Sequence, residues 1–520
     1  MPSKNRVKFE KIYELAKGID TYARDTMLKK DETALATNVI ATGKNSIAKR
    51  KGTVLLCTVA TAGTVNGLGT WTNGTNRQLL SVVNGTLYQT QTGTAVAVSA
   101  APASAGVFTA GESVDFCQGG ANVYISNGTD AMRVYDGTTV RVQTNGVIAK
   151  YTIFYKNCLY AIKNPTYPSR LYRSGTDVFI GDFTNSTANL AATTINVSNN
   201  DGQEITTVAK HQDYLYVGKN RSLYRASVLA DEALSISYAL VDPSRGSDSH
   251  KATDAVENDI YFYSEYGVNS LGYEPNFLDQ IRTKILSLRI DNELQTIEKN
   301  VLEDTCGMYF DNVYHFSYKT GGAAANDTMM VYDRQRSGWW KFNLGASCFC
   351  EYKNSDGVSF LYFGSPTDGK IYYFSKGVKS DNTAVMATSW ESPKYTFDEY
   401  TQSKFFLEAV FYMGMINGVI NISIYVDGTL VNTKTVTLGS GGGHAGIGIG
   451  GIGIETIGVG GGSATVVDVG GSGVIKVAVN KMGRSIQVKI SESSSDEGWE
   501  LNGLEIAYVT INKLYQPNAE

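Results

Sequence analysis

The side chains able to do chemistry in this chain are few and scattered. Four histidines, His211, His250, His315 and His444, include no H-E-x-x-H motif and no i, i+4 pair, so a helix-borne metal ligand set is not expected. Six cysteines, Cys57, Cys117, Cys158, Cys306, Cys348 and Cys350, contain no C-x-x-C pair. Cys348 and Cys350 lie two apart in an apolar run, so a strand would turn both to one face as small buried hydrophobes. Asp254, Glu257, Asp259 and Glu265 crowd into one short stretch. Hydrolysis of a sugar bond needs two carboxylates flanking it, and these are the candidates; the competing reading is four loop or surface carboxylates. IATGKNS (40–46) has the Gly-Lys of a phosphate loop, but position 38 is Asn where the first glycine should be. There is no G-x-S-x-G elbow for a serine hydrolase. SSDEGW (494–499) looks like a sialidase Asp-box but lacks its Thr and spacing, and reads as a hairpin loop. No catalytic, cofactor-binding or metal-ligating residue is expected.

Two features point instead to contact with other chains. The basic run AKRKG (48–52) could meet phosphate, but in a chain of net charge −4 it reads better as a solvated arm or a protein-contact patch, with Arg50 and Lys51 as candidate assembly contacts. Between 439 and 473, 16 of 35 residues are Gly. There HAGIGIGGIGIETIGVG alternates Gly with Ile or Val, which in an extended strand puts apolar side chains on one face and bare backbone on the other. Gly446, Ile447, Ile449, Ile452, Ile454 and Ile457 are therefore further candidate assembly contacts, at an intersubunit surface or a tip.

The elements that must position these residues are β-strands. Of 520 residues, 42% are apolar, enough for a large core, while only 18% are charged against about 25% in an ordinary soluble domain. Tyr (32) outnumbers Phe (19) and Trp (5), and Pro is scarce (9). This profile excludes a coiled coil, a collagen, a disulfide scaffold and a basic nucleic-acid binder. No run of 18 apolar residues is present, so a membrane span is not expected, and MPSKNRVKFEKIYELAKG carries no secretory signal.

From 53 to 380 a strand-turn-strand unit recurs, with a Tyr near the centre of one strand and Asn-Gly, Asp-Gly or Ser-Gly in the turns. Tyr124, Tyr160, Tyr216, Tyr261, Tyr314 and Tyr362 mark it at intervals of 36 to 56 residues. One four-stranded sheet per repeat fits that spacing, and such sheets cover one another by stacking around an axis. The expected fold is all-β: a six- or seven-bladed β-propeller over 53–380 and a C-terminal β-sandwich over 381–520 carrying the Gly-rich insertion 439–473. The alternative is several sandwiches. Residues 1–52 read as a charged N-terminal arm, with Phe9, Ile12, Tyr13 and Ala16 at helical spacing and a second short helix or turn after Asp31.

Three stretches resemble one known family. Gly18-Ile19-Asp20-Thr21, Glu32-Thr33, Leu35, Asn38-Val39 and Lys49-Arg50-Lys51-Gly52 are similar to the opening of the tail nozzle proteins of short-tailed phages, the tail tubular protein B type, and of related hub or stabilisation proteins. VYDRQRSGWWKF (331–342) with LYFGSPTDGKIYYFSKGVKSDNTAV (361–385) resembles that family's closing blade, and GRSIQVKISES…ELNGLEIAYV (483–509) its terminal sandwich strands. The Gly-rich insertion is a departure. The resemblance implies a structural virion protein: a ring, six copies round, below portal and adaptor, serving as conduit for genome ejection and binding neighbouring tail proteins such as adaptor and fibre. It implies no cofactor and no catalysis. Double-stranded DNA would pass without specific binding, which the near-neutral to acidic charge suits. The expected location is the virion tail, assembled in the host cytoplasm. The alternatives are a receptor- or carbohydrate-binding propeller, its ligand held by blade-loop tyrosines and Trp339/Trp340, or a polysaccharide-degrading enzyme.

Overall fold

The computed structural model describes residues 6–511 except 44, 61, 188–189, 199–200, 229–235, 275–279, 398–399, 417, 439–472 and 494–497. The chain forms two compact units: Met1–Gly52 with Asp333–Phe342 and Lys376–Glu520, and Thr53–Tyr332 with Asn343–Ser375.

The second unit is a seven-bladed β-propeller. Its inner strands are Val65–Asn73, Asp115–Gly119, Tyr151–Tyr155, Ile205–His211, Ser249–Val256, Cys306–Phe310 and Cys348–Lys353. Each packs beside the next, and the seventh returns to the first, closing a ring. Blades are built on four antiparallel consecutive strands, such as Tyr151–Tyr155, Cys158–Ile162, Arg170–Thr176 and Thr193–Asn196 in the third, and the second adds Ser99–Ala100 in parallel. The last blade is completed by the unit's first strand: Thr53–Thr58 pairs with Lys370–Phe374. One end of the unit thereby clasps the other and completes the seventh blade's fourth strand.

The marker tyrosines explain the repeat. Tyr124, Tyr160, Tyr216, Tyr261, Tyr314 and Tyr362 all stand on the second strand of blades two to seven, and each is at most 4% exposed. A ring wedged between sheets buries a large apolar area, and its hydroxyl then needs a partner. Tyr314 donates to Ala252 O (2.6 Å) on the preceding blade, and Tyr124 to Ile180 O (2.9 Å). Cys348 and Cys350 share one buried face of their strand, packed with Leu56, Val65 and Ile371.

The first unit is a β-sandwich. One sheet is built on Lys404–Ile416, Gly473–Gly483 and Trp499–Thr510, the other on Thr388–Glu391, Gly418–Val426, Thr429–Leu438 and Ile486–Glu492. Strict alternation buries Ile420, Ile422 and Ile424 on one strand and Ile486, Val488 and Ile490 on its neighbour, with Ile422 opposite Ile490. Asp427 (φ +48°) and Gly428 (φ +80°) make the tight hairpin that their sequence implies.

Residues 1–52 differ from the expected arm. Lys8–Ile12 is a strand paired with Leu504–Tyr508, not a helix, and Leu35–Thr37, Val39–Ala41 and Ile47–Lys49 also join the two sheets. Ile12, Leu15, Ala16 and Ile19 are buried while Phe9 and Tyr13 are exposed. The helical spacing was coincidental. Sheet edges on the sandwich offer this stretch a full set of main-chain partners, which outweighs local propensity.

Candidate functional site

At the bore of the propeller, side chains of non-neighbouring blades meet. Lys150 and Tyr151 open the third blade, and Glu303 lies in the turn Lys299–Asp304 that leads into the sixth. Three blades apart in a ring of seven, they can meet only across the axis. Glu303 Oε1 accepts from Tyr151 Oη (2.9 Å) and pairs with Lys150 Nζ (2.8 Å), while Glu303 Oε2 pairs with Lys163 Nζ (2.8 Å). Lys163 also reaches Glu204 (3.2 Å). The Tyr151 ring lies 4.4 Å from that of His250 on the fifth blade, whose Nδ1 accepts the Val208 N–H (3.4 Å).

The electrostatics fix the protonation states of this cluster. Burial alone would raise the Glu303 carboxyl, but Lys150 and Lys163 outweigh it and hold it at about 2. Burial, reinforced by Glu303, pushes the Tyr151 phenol well above its ordinary range. Burial lowers His250, with Asp115 and Glu303 opposing. Glu303 is thus an ionised acceptor saturated by fixed donors. Three donors hold it in the ionised form, so it ties Lys150, Tyr151 and Lys163 together across the bore.

Beside this cluster opens a cavity of about 270 Å³ at the propeller mouth, whose polar lining includes Lys150, Lys251, Lys319, Glu112 and Asp304. Both signs of charge face it. Among the described residues no group of three or more His, Cys, Asp or Glu could hold a metal ion. The cysteines are all buried, and burial raises every thiol, Cys57 to about 11 and Cys117 to about 12, so none is an activated nucleophile.

The four carboxylates singled out in the fifth blade do not form one group, although Asp254 and Glu257 both accept from Tyr309. Glu257 and Glu265 flank opposite ends of the strand Asp259–Ser264, roughly 20 Å apart at strand rise. Asp254 Oδ2 accepts the Tyr309 N–H (2.8 Å) and serves as a blade-to-blade tie. The carboxylate near Glu265 is Asp248, which accepts the Glu265 N–H at 2.6 Å and is raised by burial to about 6. Sequence reasoning missed Asp248 along with Lys150, Tyr151 and Glu303. The available signal was a Lys set directly before the apolar run YTIFY, a charge at the mouth of an inner strand.

The assembly contacts fare unevenly. Arg50 is 1% exposed: Nη1 donates to Asp381 Oδ1 (2.9 Å), Nε to Asn38 Oδ1 (3.0 Å), and the guanidinium lies 5.0 Å from the Phe342 ring centre. Lys49, beside it, is fully buried against Glu492 (2.9 Å). The basic run is therefore no solvated arm. Burial with matched carboxylates removes Arg50 as a surface contact, because its hydrogen bonds are spent internally. Lys51 remains exposed. Gly446, Ile447, Ile449, Ile452, Ile454 and Ile457 lie outside the described residues, as do four residues of SSDEGW. Trp339 and Trp340, named for a ligand on blade loops, are 0% exposed and cannot meet one.

No family model matches the chain, and no curated protein matches it. Solved structures do. They include the computationally designed Ika8 protein (11% identity over 62% of this chain and 99% of that one, TM-score 0.36) and YCF48 bound to D1 peptide (11%, 65% and 97%, 0.39). A third is the β-propeller domain of Cps50 (Swd1) from Myceliophteria thermophila (9%, 62% and 100%, 0.41). The propeller is established by the chain's own closed ring of seven sheets, and these likenesses, with TM-scores of 0.36, 0.39 and 0.41, add nothing to it.

Proposed function

We propose that this chain is a structural protein of a short-tailed phage tail, of the nozzle or hub type, whose copies close into a ring that conducts the genome outward. One observation carries the reading: stretches behind the resemblance, far apart in the chain, interlock within a single unit. Gly18, at φ +78°, lets the backbone pass where a Cβ would stand 2.5 Å from Trp339 N and O, and Ile19 N–H donates to Trp339 O (2.8 Å). Thr33 Oγ1 accepts from Trp390 Nε1 (3.1 Å). Lys49 meets Glu492 and Arg50 meets Asp381. Gly52 leaves room for Ser380 O. The short motifs thus have one shared physical reason, the joining of opening, closing-blade and terminal segments, which supports a likeness of architecture.

In this reading the chain is not an enzyme and takes no cofactor. Its partners are its own copies, six to a ring, together with the adaptor, fibre or other tail proteins, and double-stranded DNA in transit. It resides in the virion after assembly in the host cytoplasm. The conduit belongs to the ring of copies, since the bore of each propeller is crossed by Glu303, Lys150 and Tyr151. Electron microscopy of the source particle and of the concentrated full chain tests this. The expected result is a ring of fixed copy number joined to other tail parts. A monomer in both, with a sugar seated at the propeller mouth, would overturn it in favour of a carbohydrate-binding propeller.

A further inference from the structure

The third blade holds a buried cation with no counter-ion among the described residues. Arg173 is 4% exposed, and its Nη1 has no hydrogen-bond partner. Its Nε donates to Cys158 Sγ (3.2 Å), and no ion pair involves it among the described residues. Two further buried atoms on the same blade also lack partners, the hydroxyls of Tyr155 and Tyr160. Tyr160 is 0% exposed and Tyr155 8%.

Register places these groups together. Tyr160 stands opposite Arg173 and Tyr155 opposite Cys158, and cross-strand partners share a face, as do Cys158 and Tyr160 two residues apart. The two tyrosine rings are 6.2 Å apart. This face packs into an apolar core with Leu171, Ile205, Val208 and Leu215. A guanidinium keeps its charge at any ordinary pH, and an unpaired buried charge is expensive. The Cys158 thiol does not balance it: burial raises that thiol, so it stays neutral. Asp177 and Asp213 are near enough to act on Cys158 and Tyr155, but neither forms an ion pair with Arg173. All three orphan groups are hydrogen-bond donors. One small acceptor bearing a negative charge would satisfy them together.

We infer that Arg173, Tyr155 and Tyr160 form an internal binding site for a small inorganic anion, of the size and charge of a halide. The site stands whether or not the chain belongs to a tail. The full chain crystallised with sodium bromide should show an anomalous peak in hydrogen-bond range of the Arg173 guanidinium and the Tyr160 hydroxyl. In solution, chloride or bromide in place of gluconate at equal ionic strength should raise the propeller's unfolding midpoint by roughly 2–4 °C. Arg173→Met should abolish that halide dependence. Should it fail to fold, Tyr160→Phe, which keeps the ring and loses one donor, should weaken halide affinity several-fold. Ordered waters in place of bromide, or a midpoint indifferent to halide, would overturn the inference, as would bromide in the crystal without any shift in solution.

Discussion

The two units pair buried charge over different spans of chain: in the propeller Lys219, as buried as Lys49, meets Asp201 only 18 residues away. In the sandwich unit Lys49 and Arg50 are sunk beside carboxylates 443 and 331 residues further along the chain. In the propeller the ion pairs at Glu303 are partly exposed at a bore, and each blade is otherwise made of consecutive strands. The difference follows from chain topology. A repeat that folds on its neighbour needs only apolar faces and tight turns. A unit woven from both ends of the chain must specify which distant segments meet, and a buried pair does so because either charge alone is intolerable.

Breaking a buried pair should therefore hurt most. Glu492→Gln leaves Lys49 uncompensated in a site with no exposure and should cost about 3–5 kcal/mol. Lys49→Met together with Glu492→Leu should recover much of that. Denaturant unfolding followed by tryptophan fluorescence reads this unit through Trp390 and Trp499, which lie on sandwich strands. Equal losses in single and double variants would refute the pairing argument.

Next come the glycines at the joints. Gly18→Ala forces a Cβ onto Trp339 backbone in a left-handed conformation and should cost about 1–3 kcal/mol. Gly74→Ala in the first propeller blade also has positive φ but open space around it, so only the conformational penalty of about 1 kcal/mol remains. Comparable losses at both sites would show that the sandwich joint is no tighter than an ordinary hairpin turn.

The bore should respond to acid. Glu303 is held at about 2, below its unfolded value near 4.3, so the native state favours its ionised form. That stability is complete above pH 4.3 and is lost as pH falls toward 2. Glu303→Gln should remove this acid-dependent part, about 1–2 kcal/mol after allowance for its partial exposure, in melts of the full chain between pH 2 and 5.

Smallest is the opposite trend at Asp254, raised by burial to about 6. Here the native state binds the proton more tightly than the unfolded chain does, so stability declines as pH rises from about 4 to 6. Asp254→Asn should flatten that slope in the same melts. An unchanged slope would mean that Asp254 is better hydrated than its tie to Tyr309 implies.

Legibility followed the same divide. The propeller announced itself through marker tyrosines at one position of successive sheets, and its turns through Asn-Gly and Asp-Gly pairs. The opening strand Lys8–Ile12 read as helix because its partner, Leu504–Tyr508, is nearly 500 residues away. AKRKG read as a solvated patch because nothing local reveals that Glu492 and Asp381 await it. Among site residues, the four clustered carboxylates were split by a strand that carried Glu257 and Glu265 to opposite ends, while Glu303 met Lys150 across a bore that no linear spacing encodes.

By itself, then, the sequence determined the strand periodicity, the repeat and the turn residues, since these depend on short stretches of neighbouring residues. The tertiary structure alone decided which charges are buried, that seven blades close through Thr53–Thr58, that the first 52 residues belong to the sandwich unit, and that Arg173 has no counter-ion among the described residues. Each of these depends on which distant segments exclude water from one another, and desolvation is a property of the folded surroundings and not of the residue.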